Sequence, residues 1–288
     1  MSLQQIGLQP YERSAGAGPI RRILSILKSP LVKFGQVSRE RAIKGLSVLT
    51  LLGIWYLGAA MLPSSVMPAP HLVFQVLWSE IFSGPIWSDV AITLTRIVLA
   101  FSVAVSVAVV LGFAMGLSKT AECFFDIWVV GGMTVPSLVL ILTVYMVVGL
   151  NDRAAVLAAA LPVIPILTIN IWQGIQAVDY KLIDMSAAYH ASRARIIRSV
   201  IAPQLAPVLV ASAKFGLGLI WKMVLFVELL GRSDGIGYRI EYHYQMFNMG
   251  EVLAHALLFL FIMLFIEIVL LGKLERHLFR WRPAQRRF

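Results

Sequence analysis

Charged residues are scarce in this sequence: Asp, Glu, Lys and Arg together make up 14% of 288 residues, against 59% hydrophobic, and the mean hydropathy is +0.81. Such a chain is no ordinary soluble domain, because its long apolar runs match the hydrocarbon thickness of a bilayer. Cysteine is nearly absent, and Cys123 alone excludes an internal disulfide framework. A phosphate-binding loop is missing too. The one Gly-Lys pair, Gly272-Lys273, has Glu267 where such a loop needs its first glycine and Leu274 where it needs a hydroxyl, so this chain should not bind nucleotide phosphates itself. His71, His190, His243, His255 and His277 are scattered without a cysteine or carboxylate ligand pattern, so no metal site is expected. No activated nucleophile stands beside a base, which leaves no catalytic residue to assign and argues against an enzyme.

What the chain does have is six apolar runs, Leu46 to Leu62, Ala91 to Leu117, Ile127 to Leu150, Ala154 to Ile175, Leu205 to Leu230 and Val252 to Leu271. Each is near the roughly 20 residues a helix needs to cross a membrane. All are predicted as helices, since lone strands would leave backbone groups unsatisfied in lipid. The reading is an all-α polytopic membrane protein with six transmembrane helices. A transmembrane domain, residues 46–274, follows a basic segment, 1–45, and precedes a basic tail, 275–288. Asn151, Asp152 and Arg153 are the only polar punctuation between the third and fourth spans.

The cations set the orientation. With the amino terminus inside, nineteen of the 25 Lys and Arg residues fall on the cytoplasmic side and only Arg153, Arg232 and Arg239 outside, with Arg96, Lys214 and Lys222 within spans. That asymmetry is the positive-inside pattern and places both termini in the cytoplasm. The formal charge of +10 is thereby accounted for by topology and anionic lipid headgroups, without a nucleic-acid partner. No small-residue cleavage site follows the first apolar run, so it is read as retained. Ile20 to Phe34 mixes basic and apolar residues, as an interfacial helix or a solvated basic tail would.

Between the fourth and fifth spans lies a polar stretch, 179–203, that has no place in lipid and must meet something in the cytoplasm. It reads Asp184-Met185-Ser186-Ala187-Ala188-Tyr189-His190-Ala191-Ser192-Arg193, then Pro203 and Pro207. Asp184 is read as sitting in the first turn of a short helix, where a carboxylate favours the dipole, and Ser192 as the cap of a second helix running to Ile201 and stopped by Pro203. Ala187, Ala188, Tyr189 and Ala191 form a small, fairly apolar surface suited to close docking, flanked by Arg193, Arg195 and Arg198.

The spacing of this stretch resembles the EAA loop of permease subunits of ATP-binding cassette (ABC) importers. From Met67 to Pro283 the chain is similar to the nitrate/sulfonate/taurine type of these permeases. The likeness is carried by Pro68-Ala-Pro70, Leu94-Thr-Arg96, Pro136 with Gly149, Trp221 with Glu228-Leu-Leu-Gly231, Gly235-Ile-Gly237-Tyr238, and Leu274-Glu-Arg276 to Arg280-Trp-Arg282. The resemblance implies the type I importer fold in a bacterial inner membrane, with a second permease subunit, identical or related. It also implies two partner ATPases that bind ATP and Mg and grip the loop at Asp184 to Arg193, and a periplasmic binding protein that delivers a small solute, most simply an organic or inorganic anion. Pyrimidine or thiamine-precursor compounds are the alternative cargo. The chain departs from the family in three places: Met185 and Ser186 replace alanines, His190 replaces the turn glycine, and Leu142 replaces a proline. Glycine suits a left-handed turn that costs a side chain with a Cβ about 1 to 2 kcal/mol, so His190 either takes that turn or lets the helix run on.

Charges inside spans mark cavities or partners. At helical spacing Lys214, Gly218, Trp221, Leu225 and Glu228 form one stripe with Lys222 on its edge. With Pro136, the residues Gly218, Trp221, Lys222 and Glu228 are the candidates for a translocation path; alternatively Lys222 and Glu228 pair with neighbouring helices for assembly. Gly112 and Gly116 permit close helix packing, and Gly235 and Gly237 suit a tight turn. An ion-coupled carrier would show inverted repeats or broken spans around midplane acids; a membrane enzyme would gather polar residues at one depth. The sequence shows neither pattern.

Overall fold

The computed structural model describes residues 42–84 and 86–273. The stretch Ile20 to Phe34, His277, and the matches from Leu274 to Pro283 lie outside the described residues. The chain divides into two compact units, Met1–Met61 and Leu62–Phe288. Within the first, a 20-residue apolar helix, α1, spans Ala42–Met61, beginning four residues before the run read from the sequence.

The second unit is built of helices joined by turns, with no strand among its described residues. α2 (Pro70–Ser83) opens with a proline at its amino end, where the missing N–H leaves no bond unmade. It was not foreseen, and at 14 residues it is too short to cross a bilayer. α3 (Ile86–Leu117) has 32 residues, about 48 Å of helix. Its buried face is a column of small residues, Ala100, Ala104, Ala108 and Gly112, at four-residue spacing. A Cβ on Gly112 would come within 2.8 Å of Ile171, and one on Gly116 equally close to Ile175. The two glycines therefore let α3 lie against α7 (Ile164–Gln176), its most extensive partner.

The third and fourth spans are not continuous helices. α4 (Lys119–Thr134) and α5 (Ser137–Val148) meet at 100°, and α6 (Asp152–Ala160) and α7 at 43°. Pro136 causes the first break: Val135 before it is extended, with ψ at 126°, as a residue preceding proline prefers. Leu142, where the resemblance would place another proline, lies inside the unbroken α5. Pro162 stands in the three-residue gap of the second bend. The six expected spans thus become four uninterrupted helices and two bent pairs among the described residues.

The fifth span also differs. Pro203 does not end the second loop helix: α8 (Tyr180–Ala188) and α9 (Arg193–Ile196) are followed by a π-helical turn, Ile197–Ile201, that runs straight into α10 (Ala202–Gly231). Arg193–Gly231 is therefore one helical rod of 39 residues. The wider turn changes the hydrogen-bond register just before the proline, which then sits in the first turn of α10, where a missing N–H is tolerated. α11 (Ile236–Gln245), α12 (Met249–Phe265) and a second π turn (Ile266–Leu271) complete the described chain.

Candidate functional site

The two ends of α10 carry opposite kinds of chemistry. At its carboxyl end, Arg96 of α3 is buried, 3% exposed, among carboxylates from three other segments. Its Nη1 donates to Glu228 Oε1 at 2.9 Å and to the Asp234 carbonyl at 3.1 Å. Its Nη2 and Nε donate to Asp152 Oδ1 at 2.6 and 3.0 Å, and Nη2 also pairs with Asp234. Glu228, wholly buried, takes two further donors on Oε2: the Thr93 hydroxyl and the Gly237 N–H, each at 2.9 Å.

The start of α11 plugs into this cluster. Gly235 N–H donates to Asp89 Oδ1 at 2.9 Å and Ile236 N–H to the Thr93 hydroxyl at 3.0 Å. With the Gly237 bond, three otherwise orphaned helix-end donors are satisfied by side chains. Gly235 has φ of +96°, a conformation that favours glycine. Arg239 closes the ring on Asp89 Oδ2 at 2.8 Å, and Tyr145 donates to the Val227 carbonyl at 2.8 Å. Each charge here meets an opposite charge inside the chain, and apart from the Arg232 Nε the buried donors find acceptors, so the cluster locks α3, α6, α10 and α11 together. Glu228 belongs to this lock and does not line an open groove: the stripe read on α10 is covered at its outer part by α3 and α11. Arg96, Asp152 and Asp234 were not assigned a joint role from sequence; the signal was Arg96 lying within a span.

Along its inner part the stripe is open. A groove of about 490 Å³ is lined by Lys214, Phe215, Gly218, Trp221 and Lys222 of α10 and by Glu267 of the second π turn. The Lys222 ammonium lies 5.7 Å from the Trp221 ring centroid, at cation–π distance, and Trp221 packs on Phe259 of α12 at 5.3 Å. A neighbouring groove, sharing Pro207, Ala211 and Phe215, adds polar Asn170, Gln173, Gln204 and Ser212. Pro136 stands exposed at the 100° bend and does not line the groove at Lys222.

At the amino end of α10 the loop forms a helical hairpin. Asp179 is the cap of α8, accepting the Lys181 N–H at 2.9 Å, while its own N–H donates to Gln204 Oε1 at 2.9 Å. Asp184, expected in the first turn, therefore lies in the second, and the carboxylate at the amino end of α8 is Asp179. α8 ends in a paired closure: His190 N–H to the Ala187 carbonyl at 2.9 Å and Ala191 N–H to the Ser186 carbonyl at 3.1 Å. That is a Schellman motif, and His190 occupies its left-handed position with φ of +54°. The helix does not run on through His190. Ser192 accepts the Arg195 N–H to start α9. No residue of α8 or α9 is buried, and Met185 and Tyr189 are 54% and 81% exposed. Two large apolar side chains so exposed on a helical hairpin describe a surface made for a partner.

The family described as "binding-protein-dependent transport system inner membrane component" matches residues 104–278, which takes in the hairpin, the open groove and most of the ion cluster. The chain belongs to this family. The permease is 29% identical, over 81% of its length and 89% of theirs, to SsuC of Escherichia coli, named for aliphatic sulfonates transport. It is 26% identical to the taurine transport system permease TauC of the same organism, over 85% of this chain and 91% of that one. The riboflavin transport system permease RibX of Chloroflexus aurantiacus is also 26% identical, over 83% and 89%. Among solved structures, a chain of the inward-facing MetNI methionine ABC transporter aligns with a TM-score of 0.51 and 20% identity, covering 67% of this permease and 93% of that chain. That likeness carries the fold alone; the family match and the SsuC and TauC relatives make the chain an ABC importer permease of the sulfonate and taurine type, with several helices long and apolar enough to cross a membrane.

Proposed function

We propose that this permease forms half of the path of an ATP-driven importer, with its 179–203 hairpin seated in a cytoplasmic ATPase and its opposite end facing a substrate-binding protein outside. The single observation that carries the reading is the hairpin, a capped and rigid element that leaves Met185 and Tyr189 bare. α9, the π turn and α10 form one rod, so a push on the hairpin is delivered along α10 to the groove at Lys222 as rigid-body tilting. Two ATPase subunits that hold ATP and Mg, a second permease subunit and a periplasmic binding protein complete the machine. Both termini lie in the cytoplasm.

The cargo proposed is a small organic anion such as an alkanesulfonate. Lys222 supports this: with Lys214 it puts two cations and the single carboxylate of Glu267 on the groove, and a cation inside a span is favoured where an anion or a partner meets it. A second reading, a flat heteroaromatic compound, is favoured by the Trp221 and Phe259 rings beside the same groove and by the name of RibX.

The test is uptake into proteoliposomes holding the complete complex, the binding protein and labelled ethanesulfonate. Uptake should need ATP, survive collapse of ion gradients, and be competed by other sulfonates but not by riboflavin. Lys222→Met should lower it about ten-fold with assembly unchanged. Uptake driven by an ion gradient without ATP would overturn the importer reading, and full uptake by Lys222→Met would remove that residue from the path.

A further inference from the structure

Two of the histidines that look scattered along the sequence come together. α11 and α12 are joined by a second Schellman closure, with Phe247 N–H on the Tyr244 carbonyl at 3.0 Å and Asn248 N–H on the His243 carbonyl at 2.9 Å. Asn248 then caps α12, taking the Glu251 N–H on its Oδ1. This tight hairpin sets His243 opposite the first two turns of α12, so His243 and His255, twelve positions apart, lie with ring centroids 5.3 Å from each other. Glu251 is the third member: one ligand atom from each of His243, Glu251 and His255 lies within 4.8 Å of the other two. Glu80 of α2 approaches from the other side, with Oε2 at 4.0 Å from His255 Nε2.

The hydrogen bonds show what this group lacks. His255 is 2% exposed, and its Nδ1 lies 2.8 Å from the Glu251 carbonyl. A carbonyl only accepts, so Nδ1 is the donor in this contact, and Nε2 is the ring atom left to take a ligand. Donating one ring N–H to a backbone carbonyl is the orientation that metal-bound histidines adopt. Nε2 faces a carboxylate oxygen, which is also an acceptor. Glu251 Oε2 is buried with no hydrogen-bond donor on it. A buried carboxylate oxygen without a donor is costly, and the His255 ring nitrogen near it, Nδ1, stays 3.8 Å away.

We propose that His243, His255 and Glu251 form a binding site for a zinc-class divalent transition metal, with Glu80 able to supply the fourth ligand. Two imidazoles and one or two carboxylates are a donor set that suits Zn²⁺ better than Ca²⁺ or Mg²⁺, which prefer all-oxygen cages. Bonds of 2.0 to 2.2 Å at tetrahedral angles bring ligand atoms about 3.4 Å apart, a contraction within reach of side-chain rotation. Bound metal would staple the α11–α12 hairpin to α2, at the end of the permease away from the 179–203 loop. The site stands apart from the groove at Lys222 and from the transport reading.

The experiment uses the assembled transporter purified on a non-histidine tag, stripped with chelator and returned to buffer at pH 7.5. Zn²⁺ binding is followed by competition against a chromogenic chelator, and Co²⁺ by its visible absorption. Wild type should take up about one Zn²⁺ per permease chain and give the absorption of a four-coordinate Co²⁺ site. His243→Ala, a change at a half-buried position that leaves the core alone, should weaken Zn²⁺ at least ten-fold, and Glu251→Gln likewise. Glu241→Gln, which alters only a surface contact with Gln245, should bind as wild type does. No stoichiometric Zn²⁺ on wild type overturns the proposal. So does equal affinity in wild type and His243→Ala with both eluting as intact complex, or Mg²⁺ displacing Zn²⁺ at equal concentration.

Discussion

The carboxyl end of α10 and its amino end are built on opposite plans. At the first, Glu228 is wholly buried and every charge finds its counter-charge within the chain: Arg96 meets three carboxylates, and Arg232 leans on Asp152 at 3.2 Å. At the second, a hairpin of equal regularity exposes Tyr189 and Met185 and keeps its arginines in solvent. Both are rigid, but only one is complete. The difference separates an end that fixes helices relative to each other from an end left for another protein, and the rod from Arg193 to Gly231 connects them.

The largest effect should come from breaking the closed end. Glu228→Leu takes from Arg96 the one wholly buried carboxylate of its three and frees the Thr93 and Gly237 donors. Removing one partner of a buried pair typically destabilises by about 3 to 5 kcal/mol, a large share of any protein's margin. The yield of assembled complex and its melting temperature should both collapse. Adding Arg96→Met should recover part of the loss, since the two residues act through one interaction. A Glu228→Leu complex that assembles and melts like wild type would show that the cluster does not hold the helices.

A smaller but functionally sharper effect should follow at the open end. Tyr189→Asp should leave folding untouched, because the side chain is 81% exposed, yet it places charge in the proposed ATPase contact. Truncated aromatic anchors at interfaces commonly lose about 2 kcal/mol or more, which is over ten-fold in affinity. ATPase retention on the purified permease should fall by that factor while the melting temperature stays within a degree or two. Equal retention would transfer the docking role elsewhere, and a matching fall in melting temperature would erase the distinction between the two ends.

How much of this was legible beforehand depends on chain separation. The hairpin could be read because its signals are local: Ser192 ahead of basic residues, alanines in a row, and a turn position where family members carry glycine. Even there the helix start was off: Asp179, at an ordinary capping position before Tyr180, begins α8 early enough to put Asp184 in the second turn. The closed end was not legible, because Arg96 reaches partners 56 to 138 positions away. Periodicity on α10 placed Glu228 on the right face but could not say what covers it. The span breaks were half legible: Pro136 and Pro162 were visible, but hydropathy averages across a bend. His243 and His255 were missed for the same reason as Arg96, with the added obstacle that their meeting depends on Phe247 adopting φ of +57°, which a bulky residue rarely does.

The smallest expected effect probes the one place where the open end carries strain. His190 holds a left-handed backbone that a side chain with a Cβ resists by about 1 to 2 kcal/mol, and its side chain is exposed, so nothing in the chain requires imidazole there. His190→Gly removes the resistance but lets the unfolded chain explore more conformations, an opposing term of up to about 1 kcal/mol. The net should be a gain of well under 1 kcal/mol, read as slower hydrogen exchange at Tyr189, His190 and Ala191 with transport unchanged. His190→Val should do the reverse, because a β-branched residue is strongly disfavoured at positive φ. The closure is expected to fray, exchange at Ala191 to quicken, and ATPase retention to weaken by less than Tyr189→Asp weakens it. The order of the three variants is the measurement that matters. If Gly and Val behave alike, the left-handed turn is not what shapes the hairpin, and the rigidity that lets it transmit force along α10 must come from the Asp179–Gln204 clamp at its base.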